Sequence, residues 1–296
     1  MRRDRTPSRS TYQGRPLARP DDDVVDQGLG FDLGTLRGRR RVLQALGLGA
    51  AAAGLAACGP PAGAGGTTSP GEIPEETAGP YPADGSNGPD VLERSGIVRQ
   101  DIRTSFGGPS GVAEGVPLTL ELTLTDLAHG GAPLSGAAVY VWHCDREGRY
   151  SMYSEGIEGE NYLRGVQIAD AQGAVRFTSV FPACYEGRWP HVHFEVHPGQ
   201  ADITDASKTI ATSQVALPEE VCDTVYAQPG YETSVAHLAE VSLDGYVVFG
   251  DDGAGVQLAT VTGAVTTGYT AALHVALDTR TEPGAGAPPP PPPGRR

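Results

Sequence analysis

Val116-Pro-Leu-Thr-Leu-Glu-Leu-Thr-Leu-Thr-Asp126 alternates apolar and polar residues through its whole length. Successive side chains of an extended chain point to opposite faces, so this pattern predicts a strand with one buried face. Strand-like runs recur along the chain at 137–144, 175–180, 191–196, 209–217, 245–249, 257–262 and 269–277, divided by turn residues such as Asp170-Ala-Gln-Gly173. In the run 137–144, Val139, Val141 and His143 share one face, with Tyr140, Trp142 and Cys144 on the other. One short helix is predicted at 219–226, starting beside Pro218. No long segment has a 3.6-residue period, and there is neither βαβ alternation nor an internal repeat. The expected fold class is all-β, an antiparallel β-sandwich with an irregular N-terminal arm and disordered termini.

The ends of the chain have a different composition. Arg39, Arg40 and Arg41 precede an Ala/Gly-rich apolar run reaching Ala57, too short and too small-residued for a membrane span. The twin arginine resembles the export signal read by the Tat machinery, and Leu55-Ala-Ala-Cys58 resembles a bacterial lipobox in which Cys58 is acylated. Residues 1–57 are therefore expected to be a signal segment and 58–71 a flexible linker. Residues 72–282 are expected to form one folded domain and 283–296 a Pro-rich disordered tail. The expected location is the cell envelope or outside the cell, with membrane contact only through a lipid on Cys58. The whole chain carries a formal charge of −14, and residues 58–296 hold 12 basic against 30 acidic side chains. That excess of acid argues against nucleic acid or an anionic lipid surface as partner. Beyond Cys58 there are three cysteines, Cys144, Cys184 and Cys222, which outside the cytoplasm are open either to pairing or to remaining buried thiols.

The chemistry gathers in Pro182-Ala-Cys-Tyr-Glu-Gly-Arg-Trp-Pro-His-Val-His-Phe-Glu195. His191 and His193, two apart in a strand, point to one face and converge on one place. Such a pair suits zinc, copper, manganese or iron. Tyr185 lies six residues before His191, and Tyr150 closes a Gly148-Arg149-Tyr150 turn after a core strand; Tyr153 and Tyr162 compete with Tyr150 for the same role. A phenol with an ordinary pKa of about 10 ionises at neutral pH only beside a strong cation. A trivalent iron provides that and prefers hard anionic oxygen, whereas zinc rarely recruits tyrosine.

The run from Asn161 to Tyr185, followed by Gly187-Arg188-Trp-Pro-His-Val-His-Phe194, resembles the intradiol ring-cleavage dioxygenases, in particular the protocatechuate 3,4-dioxygenase β-chain group. The resemblance covers residues 74–220. It implies a non-haem Fe(III) held by Tyr150, Tyr185, His191 and His193, with a catecholic substrate split by O2 between its two hydroxylated carbons. Tyr185 is similar to the axial tyrosine that substrate displaces. Arg188 is similar to the arginine that steadies charge on the ring, and Gln214 to a glutamine behind the ligands. Thr77-Ala-Gly-Pro-Tyr81 resembles an arm near the substrate mouth, which with Trp189 gives three expected substrate-binding residues, Thr77, Tyr81 and Trp189. The rival reading from another class is a β-sandwich lipoprotein that binds a ligand without turnover. Oligomeric state and the particular catechol are left open by the sequence.

Overall fold

The computed structural model describes residues 11–12, 15–16, 69–246, 248–250 and 254–283. All but four residues of the expected signal segment, most of the linker and nearly all of the Pro-rich tail therefore lie outside the described residues. Within residues 1–57, Thr11–Tyr12 and Arg15–Pro16 pair as a two-residue antiparallel ladder.

The chain forms strands β1 (Pro117–Asp126), β2 (Ala132–Pro133), β3 (Ala138–Trp142), β4 (Arg164–Ile168), β5 (Ala174–Val180), β6 (His191–His197), β7 (Ala211–Ala216), β8 (Thr260–Ala264) and β9 (Gly268–Leu277), of which β2 and β4 answer to no run expected from the sequence. One sheet runs β8-β9-β1, with β5 and the short β2 both along the other side of β1. The second runs β4-β3-β6-β7 and is antiparallel throughout. One pair departs from the antiparallel expectation, because β9 lies parallel to β1 with Tyr269 opposite Leu118 and Leu277 opposite Asp126.

Leu118, Leu120, Leu122 and Leu124 of β1 are all buried, as their alternation predicts. They pack with Val139 and Val141 of β3, Phe177 of β5, Val192, Phe194 and Val196 of β6, and Val215 of β7 into the core between the sheets. The outer face of the second sheet is covered as well. Ala138, Tyr140, Trp142 and Val166 pack there against Tyr81 and Ala83 of the N-terminal arm and against Tyr150 and Tyr185 of two loops. Backbone bonds hold the arm in place, from the amide of Ile73 to the carbonyl of Ala276 at 2.8 Å and from the amide of Glu76 to the carbonyl of Thr212 at 2.7 Å.

The predicted helix is present as α1 (Glu219–Tyr226), and a second, α2 (Glu232–Leu238), follows it. The sequence gives little warning of α2, since only Ser234 and Leu238 of its seven residues are buried and one of those is polar. In its described residues, 245–246 and 248–249, the strand expected at 245–249 is a succession of turns. The amides of Gly245, Tyr246 and Phe249 bond the carbonyls of Ser242, Leu243 and Tyr246, three residues back, and are spent before any ladder can form. Tyr246, Val248 and Phe249 are nevertheless buried in the core, so the apolar run reports burial and not extension.

Phe194 sits fully buried at the centre of β6. Phe194→Ala should cost about 3–5 kcal/mol, measured by denaturant unfolding, because the cavity opens under the strand that carries both histidines.

Candidate metal centre

β6 is buried along both faces. Its valines and Phe194 take the inter-sheet core, so alternation sends His191, His193, Glu195 and His197 to the outer face. Register there sets Arg164, Trp142, His193 and Gln214 side by side across four strands. The Trp142 indole lies flat against the His193 imidazole, with centroids 4.9 Å apart and planes 1° from parallel. The Nε2 atoms of His191 and His193 stand 3.0 Å apart.

Two loops bring the phenols. After β3 the Asp145 carboxylate accepts from the amides of Glu147 and Arg149, folding the turn that delivers Tyr150. Gly148 in that turn has φ +85°, and a Cβ on it would lie 3.2 Å from the Cβ of Tyr185, so glycine is needed both for its conformation and for the closeness of the second tyrosine. Tyr185 opens a turn closed by the Arg188 amide on its carbonyl at 3.1 Å. The Tyr150 and Tyr185 hydroxyls are 3.2 Å apart. Ring centroids are 5.9 Å apart for Tyr185 and His191 and 6.5 Å for Tyr150 and His193. Tyr153 and Tyr162 turn elsewhere, Tyr153 donating to Asn87 and Tyr162 to Asp145.

The arm closes the site. Tyr81 stacks on Tyr150 at 4.7 Å. The Thr77 carbonyl accepts from Gln214 Nε2 at 2.9 Å. A Cβ on Gly79 would come within 3.3 Å of the His193 ring, so the backbone passes close over the imidazole. Arg188 is buried in the turn after Tyr185. Trp189, expected to touch substrate, instead packs in the inter-sheet core, with its Nε1 donating to the Leu217 carbonyl at 2.9 Å. Its own carbonyl lies 2.5 Å from His191 Nδ1.

That last contact sets a tautomer. A carbonyl only accepts, so His191 Nδ1 carries the proton and Nε2 presents its lone pair toward His193. Burial keeps both imidazoles neutral, with His191 pushed down to about 4 and His193 well below its ordinary value, desolvation being the main cause and the neighbouring His191 adding to the latter. Burial likewise drives the Tyr150 and Tyr185 phenols well above their ordinary range. Without a cation, then, the site holds four neutral groups.

The donor set fits a metal ion. Two nitrogens bonded at right angles to one ion, each at about 2.1 Å, would stand about 3.0 Å apart, which is the separation found here. His193 Nδ1 and Gln214 Oε1 are buried without a hydrogen-bond partner among the described residues. No group of three or more His, Cys, Asp or Glu side chains there could hold a metal. An ion bound here would therefore draw on phenolate oxygen, which selects for a hard, highly charged cation. The three cysteines are free, buried thiols, so the alternative of a disulfide among them is not realised.

Fold and site together define an all-β sandwich that carries a buried cluster of two phenols and two imidazoles on the outer face of one sheet. A dioxygenase family model matches residues 87–199. Over 56 residues the chain is 36% identical to chlorocatechol 1,2-dioxygenase of Rhodococcus opacus, and over 55 residues it is 42% identical to catechol 1,2-dioxygenase of a Pseudomonas species. These alignments span 19% of this chain and 22% and 18% of those two proteins. The fold is similar to that of an intradiol ring-cleavage dioxygenase from Tetranychus urticae, with a TM-score of 0.51 and 22% identity over 63% of this chain and 89% of that one. The comparisons thus give residues 87–199 as similar to a dioxygenase family and the fold as similar to that of an intradiol ring-cleavage dioxygenase.

Two contributors escaped the sequence reading. Arg164, given no place at the site there, is a strand residue that is 1% exposed. It makes hydrogen bonds to three carbonyls and two hydroxyls and has no carboxylate partner among the described residues. From α2, Ser234 Oγ accepts from the Cys184 amide at 3.1 Å and His237 Nδ1 donates to the Cys184 carbonyl at 3.0 Å, which fixes the backbone just before Tyr185. Neither was signalled in the sequence, since strand register alone brings Arg164 within two strands of His193 and α2 buries only Ser234 and Leu238.

His143 and His197, like His191, are pushed down to about 4 by burial. Between pH 4 and the ordinary value of about 6.5 the unfolded chain binds more protons than the folded one. Their stabilisation is thus fully present above about 6.5 and lost as pH falls toward 4. Thermal unfolding of metal-free protein should show a melting temperature that falls steeply across this window and is flat just above it.

Proposed function

We propose that this protein is an Fe(III)-dependent intradiol dioxygenase. It would open a catecholic ring between its two hydroxylated carbons, adding both atoms of O2 to give a muconate-type diacid. The observation that carries the reading is the meeting of the Tyr150, Tyr185, His191 and His193 rings in one buried cluster. Those four side chains would hold the ion. When bound, it supplies a Lewis-acidic, electron-accepting centre that stabilises phenolates and makes a catecholate ring reactive toward O2.

The chain's own groups do the rest. The neutral imidazoles offer lone pairs over the working pH range, since burial pushes His191 down to about 4 and His193 well below its ordinary value. Tyr185, a phenolate when the ion is bound, would take one hydroxyl proton from the entering catechol at its phenolic oxygen and become neutral. Tyr150, stacked under the Tyr81 ring and more deeply buried than Tyr185, would keep its place. Arg188, buried beside Tyr185, puts a positive charge where negative charge spreads over the ring, an effect worth roughly 2–4 kcal/mol when preorganised. Gln214, tied to the arm at Thr77, aligns the sheet edge of the site with the lid that Tyr81 forms. Burial by the arm keeps bulk water from the reacting carbons.

The same reading makes the protein an exported one. Support comes from Arg39–Arg41, the Ala/Gly run and Cys58, with the lipid on Cys58 as its one tie to the membrane.

Oxygen uptake by iron-loaded protein with catechol, protocatechuate and hydroxyquinol tests the activity. The expected result is a burgundy protein consuming one O2 per ring with at least one of the three. A colourless protein with no uptake would leave the non-catalytic binding reading. Tyr185→Phe should bind iron yet turn over at least tenfold more slowly, and His193→Ala should lose iron by metal analysis.

A further inference from the structure

A buried cation without a counter-ion is costly, so its location is enforced by what it binds. Among the described residues Arg164 is such a cation. Its Nη1 donates to the carbonyls of Tyr81 at 2.9 Å and Pro82 at 3.1 Å and to the Tyr140 hydroxyl at 3.1 Å. Its Nη2 donates to the Ser151 carbonyl at 2.9 Å, and its Nε to Ser151 Oγ at 3.1 Å. One planar group thereby ties three separate pieces of chain. They are the arm at Tyr81 and Pro82, the loop residue directly after Tyr150, and, through β4, the sheet that carries His193. Tyr140 reinforces the arm side, its hydroxyl donating to the Pro82 carbonyl at 2.7 Å. Ser151 reinforces the loop side, donating from Oγ to the Tyr162 carbonyl at 2.7 Å.

We infer that Arg164 is a positioning residue, which locks the N-terminal arm and the Tyr150 loop to each other and to the histidine-bearing sheet. The stacked pair Tyr81 and Tyr150 belongs to the two segments that Arg164 ties together, so the lock sets the seat of the arm and of the Tyr150 phenol. A lysine keeps the charge but has no planar fork and cannot serve both pieces at once. Only the kinetic consequence rests on the dioxygenase reading; the mechanical role stands without it.

Amide hydrogen exchange read by mass spectrometry on the full chain is the test, comparing wild type with Arg164→Lys and Tyr140→Phe. Arg164→Lys should speed exchange at least tenfold in peptides covering both 77–85 and 150–154, with β1 and β9 as protected as before. Tyr140→Phe should loosen 77–85 alone. In iron-loaded protein Arg164→Lys should raise the KM for a turned-over catechol at least tenfold, with kcat less affected, and shift the tyrosinate absorption band. Wild-type protection in both peptides, or equal loss everywhere, would overturn the inference. Should Arg164→Lys fail to fold, the arm peptide in Tyr140→Phe decides, an unchanged rate counting against the lock. If the wild type consumes no O2, the dioxygenase reading fails while the exchange result still judges Arg164.

Discussion

A strand buried on both faces has no solvent in which to place its polar side chains, and β6 carries four of them on one face. The inter-sheet core claims Val192, Phe194 and Val196. His191, His193, Glu195 and His197 are left to a second interior under the arm and loops, where every donor and acceptor must be met by protein or by a bound group. Much of what surrounds this sheet face can be read as an answer to that demand. Trp189 gives its carbonyl to one imidazole, Trp142 lies on the other, and two loops bring phenols within reach.

Desolvation then settles the charge state. It drives the imidazoles toward neutrality and the phenols away from ionisation, because a charge in either group would lack the stabilisation water gives. A cation bound among these four neutral groups would convert the phenols into anionic ligands. The same low-polarity surroundings would strengthen any electrostatic contribution from Arg188.

The cover over this face is held at few points. Arg164 and Tyr140 fasten the arm, Asp145 and Gly148 shape the Tyr150 turn, and Ser234 with His237 grips Cys184 beside Tyr185. Each phenol thus depends on an element remote in sequence: Tyr150 on the arm some seventy residues earlier, Tyr185 on a helix some fifty residues later. Neither dependence leaves a local signature.

Alternation alone fixed the β1 leucines as buried and put His191 and His193 on one face, because side-chain direction in a strand follows from chain geometry. Resemblance to a family singled out Tyr150 over Tyr153 and Tyr162, and the loops do bring Tyr150 to Tyr185. The run 245–249 was misread because burial and extension leave the same apolar pattern, and hydrogen bonding three residues back decided between them. Which face of β6 would hold the chemistry, that Trp189 turns into the core, and that Arg164 joins arm to loop were decided only when the sheets packed. Those outcomes depend on strand register and on contacts between segments far apart in the chain, and no stretch of sequence contains either.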